Sequence, residues 1–141
     1  MIVYLVRHAR AGHRETWQGE DDSLRPLDER GRRQADALVA QLAEREFARI
    51  LTSPFARCVQ TVEPLAEARG LPVEGVDSLA EGAGKAAALD LFNSLDAPAV
   101  ACVHGDLVEA LVGESAKKGA TLVLDVSGET VEVLERLDPP A

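Results

Sequence analysis

Two of the chain's three histidines, His8 and His104, stand directly after apolar runs, Ile2–Val6 and Ala99–Val103. Each is followed by a small residue, Ala9 or Gly105, which would let a ligand approach the backbone. Arg7 precedes the first histidine, and a second arginine, Arg57, lies within "TSPFARCVQT". A lone histidine after a strand usually serves the structure. Two of three in the same setting, with arginines at hand, point to chemistry. The reaction that uses these types together is phosphoryl transfer. A phosphoryl group in flight spreads charge over three equatorial oxygens, and arginine meets it with a rigid fork of donors. An imidazole is nucleophilic when one ring nitrogen is unprotonated and the other is oriented by a hydrogen bond. A second histidine, if protonated, adds charge and donors.

The elements that must hold these groups follow from periodicity. Ile2–Val6 and Ala99–Val103 are continuous apolar runs, as expected of strands buried on both faces. Residues 9–27, with Gly12, Gly19, Pro26 and many charges, read as a long loop. Asp28 is a good N-cap for a helix to about Glu46, with Ala35, Leu38, Val39 and Leu42 on one stripe. Ala48–Leu51 is a short strand. Ser53-Pro54 is expected to open a second helix, with proline at its first position and Gly70 at its end. That helix start would offer free N–H groups and a positive dipole end to a phosphate. Pro72–Val76 is a weak strand, Gly84–Leu95 a third helix and Gly105–Val112 a short one. Thr121–Val126 and Thr130–Leu137 alternate and are joined by "SGE", a hairpin signal. Strands alternating with helices imply an α/β fold: a three-layer α/β/α sandwich with a mainly parallel sheet and an antiparallel C-terminal hairpin. In such sheets ligands bind beyond the carboxyl ends of the strands, where both histidines stand.

The 141 residues suit one domain, and 46% hydrophobic with 28% charged residues is the balance of a globular protein. No apolar run is long enough to span a bilayer, and Met1 leads straight into the first strand without a signal-peptide pattern. A cytoplasmic setting is therefore expected. Cys58 and Cys102 read as small core residues. No Cys/His spacing suggests zinc, so neither metal nor cofactor is expected. A formal net charge of −9 argues against nucleic acid as a partner. It also requires that any anionic substrate be met by cations gathered locally.

The chain resembles the histidine phosphatase superfamily, also called the phosphoglycerate mutase-like fold, over almost its whole length. "LVRHA" is similar to the family's Arg-His-Gly signature, with Ala9 in place of glycine, as short members like the SixA phosphohistidine phosphatase commonly have. "RPLDERGRRQA" is similar to the segment that opens the first helix, "TSPFARCVQT" to Ser-Pro-x-x-Arg-x-x-x-Thr, and "VHG" to the second histidine motif. The resemblance implies that His8 is the nucleophile, passing through a phosphohistidine, and that Arg7, Arg57 and His104 hold the phosphoryl oxygens. It also implies a general acid from an acidic residue before the second histidine. "SLAEGAG" offers Glu81, whose plainer reading is a solvated loop acid. Beyond the phosphate, Arg10, Arg25 and Ser53 are candidates for the substrate rim, although Ser53 would also serve as a helix cap. The plainer reading of Arg10, Arg14, Arg25 and His13 is a solvated loop paired with Glu15, Glu20, Asp21 and Asp22. Trp17 would cover the site or anchor that loop. Arg30, Arg32 and Arg33 read as a solvated helix face.

Only 46 residues (58–103) separate Arg57 from His104, without the insertions that wall the site in larger relatives. An open, shallow site is therefore expected, suited to a phosphohistidine displayed on a protein. The pattern "RHARAG…RPLDERGRRQA" also resembles the phosphatase half of two-domain Nudix–histidine-phosphatase proteins, although no Nudix segment is read in these residues. That keeps small phosphorylated metabolites, nucleotides or sugars, as the alternative substrate. A mutase fits less well, since it needs an enclosed site. The alternative of another class is a non-catalytic phosphate-binding module.

Overall fold

In the computed structural model, residues 1–19 and 21–141 are described; the expected pairing of Glu20 with loop arginines lies outside them. The elements run β1 (Ile2–Arg7), α1 (Glu29–Gln41), β2 (Arg49–Thr52), α2 (Ala56–Arg69), β3 (Val73–Gly75), α3 (Lys85–Asn93), β4 (Ala99–Val103), α4 (Gly105–Val112), β5 (Thr121–Ser127) and β6 (Thr130–Leu137). Short 3₁₀ turns at Arg14–Thr16, Asp22–Leu24 and Asp77–Leu79 shape the connections.

Among the described residues the strands form one sheet in the order β3-β2-β4-β1-β5-β6. β3, β2, β4 and β1 run parallel; β5 and β6 complete the sheet antiparallel, as the hairpin signal requires. Because side chains alternate across a strand, β1 feeds two cores. Tyr4 and Val6 pack with Leu38 and Leu42 of the α1 segment and Cys58, Val62 and Leu65 of α2 on one face. Val3 and Leu5 pack with Ala88 and Phe92 of α3 and Leu107, Val108 and Leu111 of α4 on the other. Every residue of β4 is buried, which explains its unbroken apolar run.

Two helix boundaries differ from the sequence expectation by three residues or more, while the third helix, expected over Gly84–Leu95, runs Lys85–Asn93. The first helix stops at Gln41 instead of continuing to Glu46. The cause is Arg69 of α2, whose Nη2 donates to the carbonyls of Leu42 (2.6 Å), Ala43 (3.2 Å) and Arg45 (2.7 Å). Its guanidinium also sits 4.1 Å from the Phe47 ring centroid. A cation from a neighbouring helix thus takes the carbonyls that a further turn would have used. The second helix starts at Ala56, not at Ser53-Pro54. Ser53 N donates to Cys102 O (3.0 Å), so the chain still follows the sheet there. Ser53 Oγ then accepts from Phe55 N (3.2 Å) in a turn that carries Pro54 ahead of the helix. Phe55 is the N-cap, with extended backbone and no side-chain cap.

One close approach constrains the segment after β1. A Cβ on Gly31 would lie 1.8 Å from Arg10 O, so only glycine lets α1 pack against that backbone. Ala9 is fully buried with Leu27 and Ala35. Its small side chain serves this packing, not the approach of a ligand.

Candidate active site

β1 and β4 are parallel neighbours, with Arg7 paired to Val103. Each strand ends one residue before a histidine, and adjacent strands lie about 4.8 Å apart. The sheet alone therefore brings His8 and His104 together: their ring centroids are 5.5 Å apart with planes inclined at 64°. His8 N donates to Val103 O (3.0 Å), which ties the two strand ends to each other. β2 adds Ser53 at the same edge of the sheet.

His8 is buried, and its Nδ1 lies 2.8 Å from Ala9 O. A carbonyl only accepts, so Nδ1 carries the proton and Nε2 is left as the basic nitrogen. Burial pushes the His8 pKa down from 6.5 to about 3, aided by Arg57, His104 and Arg7 and opposed by the Ala9 carbonyl. The ring is thus neutral at physiological pH, the state a nucleophile needs. The same shift couples to stability. Between pH 6.5 and about 3 the unfolded chain binds a proton that folded His8 refuses. This contribution is therefore full above pH 6.5 and falls as the pH drops, by roughly 2 kcal/mol at pH 5. His8→Asn, whose amide still donates to Ala9 O, is expected to flatten this part of the curve. Urea midpoints of both proteins at about pH 7.5 and about pH 5 measure it; equal losses on acidification would remove His8 as the source.

His104 caps α4. Its Nε2 meets Ser53 Oγ at 2.8 Å and Cys58 Sγ at 3.6 Å, and Phe55 packs edge-on against its ring at 4.8 Å. Ser53 is fully buried. It is therefore not a rim residue but the group that orients His104. Cys58 is a core residue, as expected, that also touches the site.

Arg57 is the largest side chain buried to this degree, 1% exposed. Its Nη1 donates to Asp22 O (3.0 Å), and its Nη2 to Glu81 Oε2 (2.8 Å) with Asp22 Oδ2 at 3.2 Å. Glu81 also accepts from Arg14 Nη2 (3.1 Å) and stands 3.9 Å from His104 Nδ1. Its turn is held by Gly82 N, which donates to Asp106 Oδ2 of α4 (3.0 Å). Arg7 donates through Nη1 to Ala116 O and lies against Gly105, where a Cβ would come within 2.9 Å of the guanidinium. The glycine after the second histidine thus makes room for Arg7. Among the described residues, three buried side-chain nitrogens have no hydrogen-bond partner: Arg7 Nε, Arg57 Nε and His104 Nδ1. All three belong to residues lining one cleft of about 540 Å³.

His8, Arg7, Arg57, His104 and Glu81 line this cleft together. Its floor is buried, whereas His13, Arg14, Glu15, Ser115 and Lys118 at its mouth are exposed. The rim expectations fare unequally. Arg25 lines the cleft but is buried, with Nε on Asp22 Oδ1 (2.9 Å) and Nη1 on Gly12 O. Arg10 does not line it: the α1 N-terminus draws Arg10 aside, with Nε 3.9 Å from Asp28 Oδ2. His13 lines the cleft. Trp17 does not; it anchors the loop, packing on Gly19 and donating to Asp21 O (3.2 Å). Arg30, Arg32 and Arg33 are exposed, as expected. Sequence spacing places Asp22 among loop acids, whereas the structure also sets it on Arg57. Nothing in a run of polar residues marks which acid a loop will turn inward.

The model of the histidine phosphatase superfamily (branch 1) matches residues 3–116. An 8-oxo-(d)GTP phosphatase of Mycolicibacterium smegmatis is 36% identical over 98% of this chain, and the chain spans 48%, about half, of that relative. A structure assigned as the phosphohistidine phosphatase SixA of Agrobacterium tumefaciens superposes with a TM-score of 0.78 at 27% identity, covering 98% of both chains. The protein histidine phosphatase SixA complexed with tungstate gives a TM-score of 0.78 at 25% identity, covering 99% of this chain and 97% of that one.

Proposed function

Because the chain belongs to the histidine phosphatase superfamily (branch 1), we propose that it hydrolyses phosphoryl groups through a phosphohistidine formed on His8. His8 Nε2 attacks phosphorus in line with the leaving group, so an N–P bond forms as the bond to the leaving group breaks. Arg7, Arg57 and His104 hold the equatorial oxygens, whose charge their donors match. Glu81, whose Oε2 stands 3.9 Å from His104 Nδ1, passes a proton to the leaving group. As a carboxylate it then takes a proton from the water that attacks the phosphohistidine, which releases phosphate and restores His8. The observation that carries this reading is the set of unpartnered nitrogens on Arg7, Arg57 and His104 around a neutral His8. A phosphoryl oxygen is the acceptor such donors want.

The substrate we propose is a phosphohistidine displayed on a protein. The likeness to SixA structures and the exposed mouth above a buried floor support it. The N–P bond also breaks readily once the leaving imidazole is protonated. A second reading, a small phosphorylated metabolite, is favoured by the 36% identity to an 8-oxo-(d)GTP phosphatase. Incubation with a phosphohistidine-bearing phosphotransfer protein is expected to release phosphate, and the His8→Asn variant to release none. Release from a metabolite panel alone would overturn the protein substrate. Release from neither would leave a phosphate-binding module.

A further inference from the structure

Beside the cleft lies a second pocket of about 380 Å³, lined by Arg10, Arg30, Gln34, Lys117, Lys118 and Pro139. Five cations line the cleft and four this annex, with Lys118 in both, so eight of the chain's fifteen lysines and arginines surround two adjoining cavities. In a chain of net charge −9 this is the local gathering that an anionic ligand demands. The two cavities differ in balance. Four acids, Glu15, Glu81, Asp106 and Glu109, also line the cleft, but among the described residues no acidic side chain lines the annex. Asp28 lies 3.9 Å from Arg10 Nε, and its Oδ1 already caps α1 through Gly31 N (2.8 Å).

The annex is a built feature. Buried Gln34 joins its walls: Oε1 accepts from Arg10 N (2.9 Å), and Nε2 donates towards Lys118 O (3.5 Å) and Ala141 O (3.3 Å). Gly119 N donates to the carbonyls of Arg7 and His8 (3.1 and 3.0 Å), which pins the lysine-bearing loop to the end of β1. Burial and the neighbouring Arg7, Arg25 and Arg10 lower the Lys118 pKa, opposed by Asp28, the mark of a positive surplus. Arg30 stands in the first turn of α1, where the helix dipole disfavours a cation. Helix stability therefore does not account for its presence.

We propose that the annex is a subsite for a second phosphoryl group of the substrate. In addition to single phosphoryl groups, the enzyme then acts on small molecules carrying a chain of two or more phosphates. The inference rests on the phosphatase reading of the His8 cleft, since a single phosphoryl group fills the needs of that cleft and leaves the annex unused.

The test is the double variant Arg30→Gln/Lys117→Gln, two exposed positions that line the annex and not the cleft. Its turnover of p-nitrophenyl phosphate is expected to match wild type within about twofold. Its kcat/KM for inorganic tripolyphosphate should fall about tenfold or more, since two charge-assisted contacts are lost. Equal loss on both substrates, or on neither, would overturn the proposal. So would a slowed reaction with a phosphohistidine protein at unchanged tripolyphosphate turnover, because that assigns the cations to an acidic protein partner. Calorimetric titration with pyrophosphate needs no turnover and separates this inference from the phosphatase reading. About tenfold weaker binding by the variant supports the annex even if wild type is inactive, and equal binding removes it.

Discussion

Replacing His8 with asparagine is expected to lower turnover of p-nitrophenyl phosphate by roughly 10⁴-fold or more, the scale on which loss of a nucleophile reads. Several features make this a test of chemistry and not of folding. The asparagine amide can keep the bond to Ala9 O, and His104 stays where β4 and Ser53 hold it. The backbone bond from residue 8 to Val103 O does not depend on the side chain. Arg57, with its own tethers to Asp22 and Glu81, keeps its place. The variant should therefore still bind phosphate while failing to turn over. Rapid quenching of wild type in alkali, with labelled substrate, is expected to trap label on the protein in an acid-labile form, and the variant to trap none. A variant retaining a tenth of wild-type activity would show that His8 Nε2 is not the attacking atom.

Arg57→Ala is expected to lower kcat/KM by about 10²–10³-fold, the cost of removing one preorganised donor aimed at the charge that develops on the phosphoryl oxygens. Arg57→Lys should recover little of it. An ammonium carries its three donors on one atom and does not span Asp22 O, the Glu81 carboxylate and a phosphoryl oxygen, whereas the guanidinium reaches them from separate nitrogens with five N–H groups in fixed directions. The alanine variant also loses the buried stem and takes a charged donor from the Asp22 carbonyl, which keeps only Arg25 N (3.1 Å). A stability loss of about 1–3 kcal/mol should accompany it, measured by urea unfolding so that activity is compared between folded proteins. If kcat/KM fell less than tenfold while phosphate inhibition was unchanged, Arg57 would be a structural tether to Asp22 and Glu81 and no more.

The sequence made legible those elements whose boundaries local patterning decides. Ala99–Val103 and Gly105–Val112 match their predicted limits, because an apolar run bounded by Pro98 and His104, and a helix bounded by His104 and Gly113, end where the residue types change. Both histidines and Arg7 could be singled out because they stand at the ends of readable apolar strands, and Arg57 because of its place in "TSPFARCVQT", ahead of the apolar stripe of α2. Glu81 reaches the cleft, although only family resemblance marked it. What stayed illegible was decided by distant partners. The end of α1 depends on Arg69, 24 residues or more away in the chain. The start of α2 depends on Ser53 following β4. The inward turn of Asp22 depends on meeting Arg57. The orientation of Arg10 depends on how closely Gly31 lets α1 approach. In each case a side chain or helix from elsewhere outbids the local preference, and a single sequence does not show which neighbours will meet.

The mounting of the two histidines on the ends of β1 and β4 has a further consequence for how such a protein can diversify. Their separation is set by the spacing of hydrogen-bonded strands, and much of the surface around them comes from other parts of the chain: residues 12–15 and Arg25, Glu81, and Ser115 with Lys118. Reactivity and selectivity are thus inherited on different structural parts. Mutations that retune the rim, by insertion or exchange of charge, leave the reacting pair in register, so descendants of one scaffold can acquire new substrates without reinventing the chemical step.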